Sequence, residues 1–262
     1  MLNTHISGPA QAPLIVLCHG VTDSAASLAD LITRLSQHFR LAAIDTLGHG
    51  LSPRLSSTDK HNPFPACSAA LEHTVEHLVH LYGPACGIGH SMGGALLTQL
   101  AYTRPDLLRA CIAEDPAWLT IELAQYYKQW GPQEAQRLLH LREQPCDALT
   151  SNRMDYPTWP DSERLPWLQA KYDVDMNILH AGIVGLTEPW IDVLPQLRVP
   201  FLVITSDGAD VLLGSDGISR IDSAGNPLIS SRLIAGARHC VRRENPAAFH
   251  EAISPFLHTY TR

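Results

Sequence analysis

The stretch Gly89-His90-Ser91-Met92-Gly93-Gly94 centres a serine in a G-x-S-x-G pattern. The chemistry open to it is nucleophilic attack on a carbonyl. A serine on a sharp turn between a strand and a helix projects its hydroxyl above the sheet, and glycines on either side leave room for that turn. The following helix start offers free amide donors and a partial positive charge where an oxyanion would form. A serine hydroxyl is barely ionised at neutral pH, so it needs a base. Of the fourteen histidines, His239 in Ala237-Arg238-His239-Cys240 is best placed, in a loop between the last apolar run and the last helical pattern. His19 and His49 are its rivals, each in a loop at the end of an earlier strand. An acidic pair that closes an apolar strand, as Glu114 and Asp115 do before Pro116, is costly unless it is used or solvated.

A second pattern competes. His73-Thr74-Val75-Glu76-His77 is a literal H-x-x-E-H, with both histidines on one helical face, as a zinc peptidase requires. Glu72 and His80 extend it into a polar stripe on a packing helix, and no partner ligand stands at a suitable position. The stripe reads as solvent-facing, and neither metal nor cofactor is expected.

The elements that must position these residues alternate along the chain. Apolar runs at 14–18, 41–44, 85–89 and 110–113 read as buried strands. Between them, 27–39, 69–82 and 91–102 carry helical spacing. Strand–helix alternation implies a mostly parallel, doubly wound α/β sheet. The pattern breaks after Pro116, where helical segments rich in Trp and Tyr run to about 195, with a Pro-rich piece at 156–166 read as a loop. Strands at 201–205 and 232–235 and a helix at 247–260 restore the pattern. The expected organisation is an α/β core over 1–115 and 196–262, interrupted by a helical cap over 116–195. The cap's aromatics suit a lid over the serine, because Trp and Tyr bury large apolar area around a polar handle.

Composition narrows the function classes. The chain has 262 residues, 45% hydrophobic and 17% charged, with a net charge of −7. No basic run is available to grip phosphates, so neither nucleic acid nor an anionic membrane is an expected partner. No apolar stretch is long enough to span a bilayer. The start of the chain lacks the basic and apolar regions of a signal peptide. The six cysteines are widely spread, without a CxxC pair, and read as reduced thiols of a cytoplasmic protein. Oligomeric state, monomer or homodimer, is left open.

Over nearly its whole length the sequence resembles the α/β-hydrolase superfamily, in the lineage with a helical cap after the sixth strand. His19-Gly20 resembles the family's oxyanion turn, and Asp45 with Gly48-His49-Gly50-Leu51-Ser52 resembles its D-x-x-G-x-G-x-S loop. Gly89 to Gly94 resembles the nucleophile elbow, and Gly236-Ala237-Arg238-His239 the histidine loop, with Arg238 where glycine is usual. The nucleophile, acid, histidine order also agrees. Family enzymes place the acid after either the sixth or the seventh strand, which here means Glu114 or Asp115, or else Asp210. In dehalogenase and zearalenone lactonase relatives the acid follows a P-D pair at a regular interval, and counting from Pro105-Asp106 lands on Asp115.

The resemblance thus implies a triad of Ser91, His239 and Asp115, with the backbone amides of Val21 and Met92 as oxyanion donors. It implies hydrolysis of a small, largely apolar ester or lactone through an acyl-enzyme, without a cofactor. C–C bond hydrolysis, thioester hydrolysis and a slow-turnover, receptor-like protein are the alternatives. A serine nucleophile argues against a dehalogenase or epoxide hydrolase, which use aspartate there. The segment before Leu14 is short for a family of eight strands, so one early strand is expected to be missing or abbreviated.

Overall fold

In the computed structural model, which describes residues 1–261, the chain opens on a strand that no apolar run announces. β1 (Thr4–Ser7) lies at the sheet edge, antiparallel to β3 (Arg40–Ile44), with His5 and Ile6 exposed. β2 (Leu14–Cys18), which lies between them in the chain and beyond β3 in the sheet, is buried throughout. Its Leu14, Val16 and Cys18 enter one hydrophobic cluster and Ile15 and Leu17 the other, the period-two division of a strand covered on both faces.

β4 (Ala85–His90), β5 (Leu108–Glu114), β6 (Phe201–Thr205) and β7 (Ile229–Leu233) complete a seven-stranded sheet of order β1-β3-β2-β4-β5-β6-β7, parallel apart from β1. The chain reverses direction across the sheet between β2 and β4. At such a switch point the loops leaving the strands' carboxyl ends open a crevice.

Helices cover both faces. α1 (Ala29–Leu35) packs on one, and α2 (Pro63–Tyr82) and α3 (Met92–Thr103) on the other. After β5 come α4 (Ile121–Glu143), α5 (Pro145–Asp155), α6 (Asp161–Asp173), α7 (Met176–Ala181) and α8 (Trp190–Val193). α9 (Gly214–Ser223), α10 (Val241–Glu244) and α11 (Pro246–Tyr260) follow in the second part of the core.

Several boundaries differ from the sequence reading. The helix expected over 27–39 is a 3-10 turn (Ala25–Leu28) followed by α1, which ends at Leu35. α2 starts at Pro63, because proline is well suited to the first helical position, where its missing N–H has no partner to lose. The expected loop at 156–166 is shorter, since α6 begins at Asp161 and carries Pro166 inside it. β7 begins at Ile229, three residues before the expected 232–235, and as a half-exposed edge strand it has little apolar signal. Among the described residues no helix is long and apolar enough to cross a membrane.

Candidate active site

Ser91 sits between β4 and α3 at φ 52°, ψ −117°, a conformation that L-residues avoid. Its N–H donates to Glu114 O at 3.0 Å, and its carbonyl accepts from Ala95 N and Ala117 N at 3.0 and 2.9 Å. Glycine is obligatory on either side. A β-carbon at Gly89 would lie 2.4 Å from Gly93 O, and one at Gly93 would lie 2.3 Å from Cys18 O. Met92 opens α3, so its amide is among the four that have no partner within the helix. Among the described residues, the non-glycine ones at positive φ are Thr22, Ser91, Asp115 and Asp210. All four belong to this site, and backbone strain of this kind concentrates where function requires it.

His239 reaches the same place from the loop after β7. Its Nδ1 stands 2.6 Å from Asp115 Oδ2. Asp115 has no exposed surface. Its Oδ2 also accepts from Leu212 N at 2.8 Å, and its Oδ1 accepts from Thr205 Oγ1 and Leu213 N at 2.7 and 3.2 Å. Burial pulls the imidazole pKa down, but the bond to the Asp115 carboxylate outweighs it and leaves His239 above the ordinary histidine value. The backbone of His239 is held as well. Its N–H donates to Asp210 Oδ1 at 3.0 Å, and its carbonyl accepts from His90 Nε2 at 3.2 Å.

Of the three carboxylates, then, Asp115 meets the imidazole, while Asp210 meets only the His239 backbone. Glu114 turns the other way and accepts from Arg242 N and Nη1 at 2.7 and 3.1 Å. The rival histidines are structural. His19 Nε2 accepts the Thr46 N–H at 3.1 Å, so its Nδ1 carries the proton and donates to Gly20 O at 2.8 Å. Burial lowers the pKa of His19 and keeps this ring neutral. His49 packs edge-on against it, equally buried, with ring centroids 4.9 Å apart.

His19 orders the turn after β2. Gly20 O also accepts Asp23 N–H at 3.1 Å, and Thr22 takes φ 66°, the positive value a type II turn demands at its third position. Across a trans peptide the N–H opposes the C=O. With Gly20 O bound to His19 and Asp23, the Val21 N–H faces away from both. The turn abuts the serine, since a β-carbon on Gly20 would lie 3.2 Å from Ser91 Cβ.

Ser91, His239, Val21 and Asp210 line a cavity of about 770 Å³. Tyr126, Tyr127, Trp130 and Trp167 of the inserted helices, with Tyr156 and Trp159 of the loop between α5 and α6, line it too. Trp118 and Trp190 instead stack at 5.6 Å in the hydrophobic core. Arg238, at the family's usual glycine position, ties the histidine loop to the insertion: it donates to Asp155 O at 2.5 Å and covers the Tyr156 ring at 4.1 Å. In the H-x-x-E-H stretch, Glu76 pairs with Arg104 at 3.0 Å, and His73 and His77 are exposed. Among the described residues no group of three His, Cys, Asp or Glu is gathered to hold a metal ion.

Sequence reasoning missed a buried ionic cluster beside the cavity. Arg243 reaches Asp23 at 3.1 Å and Glu163 at 2.5 Å, and Lys171 reaches Asp23 at 3.5 Å. No spacing in the chain marks it, because its members come from the β2 turn, α6 and α10.

The model of the alpha/beta hydrolase family matches residues 15–252, and the chain belongs to that family. Among curated proteins it is similar to 2-(acetamidomethylene)succinate hydrolase of Mesorhizobium japonicum, 31% identical over 114 residues, 44% of this chain and 39% of that protein. It is also similar to lipase LipV of Mycobacterium tuberculosis, 32% identical over 122 residues, 45% of this chain and 43% of that protein. The matched region thus spans less than half the length of either relative. The crystal structure of E-2-(acetamidomethylene)succinate hydrolase shares the fold at a TM-score of 0.77, with 20% identity, over 98% of this chain and 95% of that one.

Proposed function

We propose that the protein hydrolyses a carboxylic ester or lactone of a small, largely apolar substrate through an acyl-enzyme on Ser91. The observation that carries this reading is the 2.6 Å contact of His239 with buried Asp115, on the cavity that holds the strained Ser91. Ser91 Oγ attacks the carbonyl carbon and passes its proton to His239 Nε2. Asp115 keeps the Nδ1 proton in place and stabilises the imidazolium. The amides of Val21 and Met92 receive the oxyanion, and His239 returns the proton to the leaving oxygen. His239 next draws a proton from water as its oxygen attacks the acyl carbon, then returns that proton to Ser91 Oγ as the C–O bond to Ser91 breaks and the acid leaves. Residues 116–195 act as the cap, whose aromatic rings supply the apolar walls of the cavity. The six free thiols, four of them buried, suit a reducing compartment such as the cytoplasm.

The test is turnover of p-nitrophenyl acetate and labelling by a fluorophosphonate, in wild type and Ser91→Ala. Loss of both is expected, and turnover retained by Ser91→Ala would sink the assignment. A panel of esters, lactones and thioesters, with a C–C-linked diketone, then sorts the bond type on the same pair of proteins.

A further inference from the structure

The turn that presents Val21 is clamped from two sides. His19 holds its first carbonyl from within the core. Its far end is held by a residue of the inserted helices: Lys171 of α6 donates from Nζ to Thr22 O and to Thr22 Oγ1, both at 2.8 Å. The same ammonium stands 3.5 Å from Asp23 Oδ1, and all three residues are buried. Thr22 needs such a clamp. It is β-branched at φ 66°, where asparagine or glycine would sit more comfortably, and such conformations persist only when the surroundings over-determine them. An ammonium buried in this way is itself costly, and burial draws its pKa down against the pull of Asp23. A surface contact would have served to anchor α6. This one ends on the backbone of the strained residue next to Val21.

We propose that Lys171 is a positioning residue that holds the Gly20–Asp23 turn so that the Val21 amide meets the acyl oxygen. The seating of the inserted helices on the core then governs the rate at Ser91. This rests on the acyl-enzyme reading above, in which Val21 is an oxyanion donor. An oxyanion donor acts chiefly in the transition state, so misplacing it lowers kcat and leaves KM for a short ester nearly unchanged.

The experiment measures kcat per fluorophosphonate-titrated site on p-nitrophenyl acetate. It compares wild type, Lys171→Met, Thr22→Asn and the double variant, with Ser91→Ala alongside. Outright loss of one oxyanion donor costs about 10²–10³, so the partial displacement in Lys171→Met should cost about tenfold to hundredfold, with KM within about twofold. The double variant should recover at least about fivefold, because asparagine tolerates the left-handed backbone without the lysine. A merely structural lysine predicts no such rescue. The proposal is overturned if Lys171→Met keeps kcat within about threefold, if KM carries the loss, or if Thr22→Asn rescues nothing. Should Lys171→Met fail to fold, Thr22→Val with Lys171 in place decides. That variant keeps the β-branched strain and removes one acceptor, so it should lose about tenfold, and an unchanged kcat overturns the proposal. Activity retained by Ser91→Ala would defeat the acyl-enzyme reading itself. An inert Ser91→Ala beside an unaffected Lys171→Met defeats only the role of the lysine.

Discussion

Nδ1 of His239 and Oδ2 of Asp115 meet at 2.6 Å across 124 residues of chain, and the carboxylate has no exposed surface. A carboxylate taken out of water so completely must be compensated. Here two backbone amides, the Thr205 hydroxyl and the imidazole do so together.

Asp115→Asn should therefore lower kcat by about 10³–10⁴, since the amide favours the wrong imidazole tautomer. Asp210→Asn should stay within about threefold, because the asparagine oxygen can still accept the His239 N–H at the same position. Steady-state kinetics of both variants on p-nitrophenyl acetate make the comparison. The reverse order would move the acid to Asp210.

The activity should rise with pH. In the proposed mechanism His239 must be neutral to accept the serine proton, and Asp115 outweighs burial to hold its pKa above the ordinary 6.5. The acid limb of kcat/KM, measured from about pH 5 to 9, should have its midpoint above 6.5 in wild type and move downward in Asp115→Asn. For stability the sign is opposite. The pairing with Asp115 contributes fully below the unfolded histidine value and is lost as pH rises through the folded one. An acid limb at or below 6.5 in wild type would contradict this arrangement.

Arg243 holds two buried carboxylates, Asp23 and Glu163, and donates to Ser27 O at 2.8 Å. Arg243→Met takes the nearest cation from both and leaves them to Lys171 and Arg242 at 3.5–4.0 Å, which should cost about 3–5 kcal/mol in urea unfolding at neutral pH. Burial pushes the Asp23 carboxyl up, but Arg243, Lys171 and Arg242 outweigh it and hold its pKa below the ordinary 3.8. That contribution is complete above 3.8 and is lost as pH falls towards the lowered folded value, so the gap between wild type and variant should narrow in strong acid. A variant as stable as wild type at pH 7 would refute the role of the cluster.

Gly93→Ala would place a β-carbon 2.3 Å from the Cys18 carbonyl, a contact with backbone that no rotamer can relieve. Overpacking typically costs about 1–3 kcal/mol, and a backbone clash belongs at the upper end or above. The melting temperature should fall with activity, and an unchanged melting curve would mean that the elbow is less tightly packed against β2.

Much of the fold is legible in the chain because its central strands are buried on both faces. Runs such as Leu14–Cys18 then have no polar residue to interrupt them. The edges are not legible for the converse reason: β1 and β7 each leave part of their surface to water, and Thr4–Ser7 carries one aliphatic residue. α6 shows another limit, since Pro166 reads as a breaker while the helix around it buries Glu163, Arg164, Leu168 and Lys171. Tertiary contacts there override local propensity.

Ser91 stands out from local pattern, since a strained turn needs its glycines in sequence, and His239 is favoured over His19 and His49 by its place between the final strand and helix. The carboxylate that meets His239 is less legible, although the resemblance pointed to Asp115. Glu114 and Asp115 are adjacent, and neighbouring side chains at a strand end leave in opposite directions. One meets Arg242 and the other, at φ 36°, meets His239. Likewise the chain could show that aromatics crowd into 116–195 but not that Trp159 and Trp167 line the cavity while Trp118 and Trp190 pack the core. Nor could it show that Lys171 lies against Thr22. Such contacts join residues far apart along the chain, and only the packing of the inserted helices on the sheet brings them within reach.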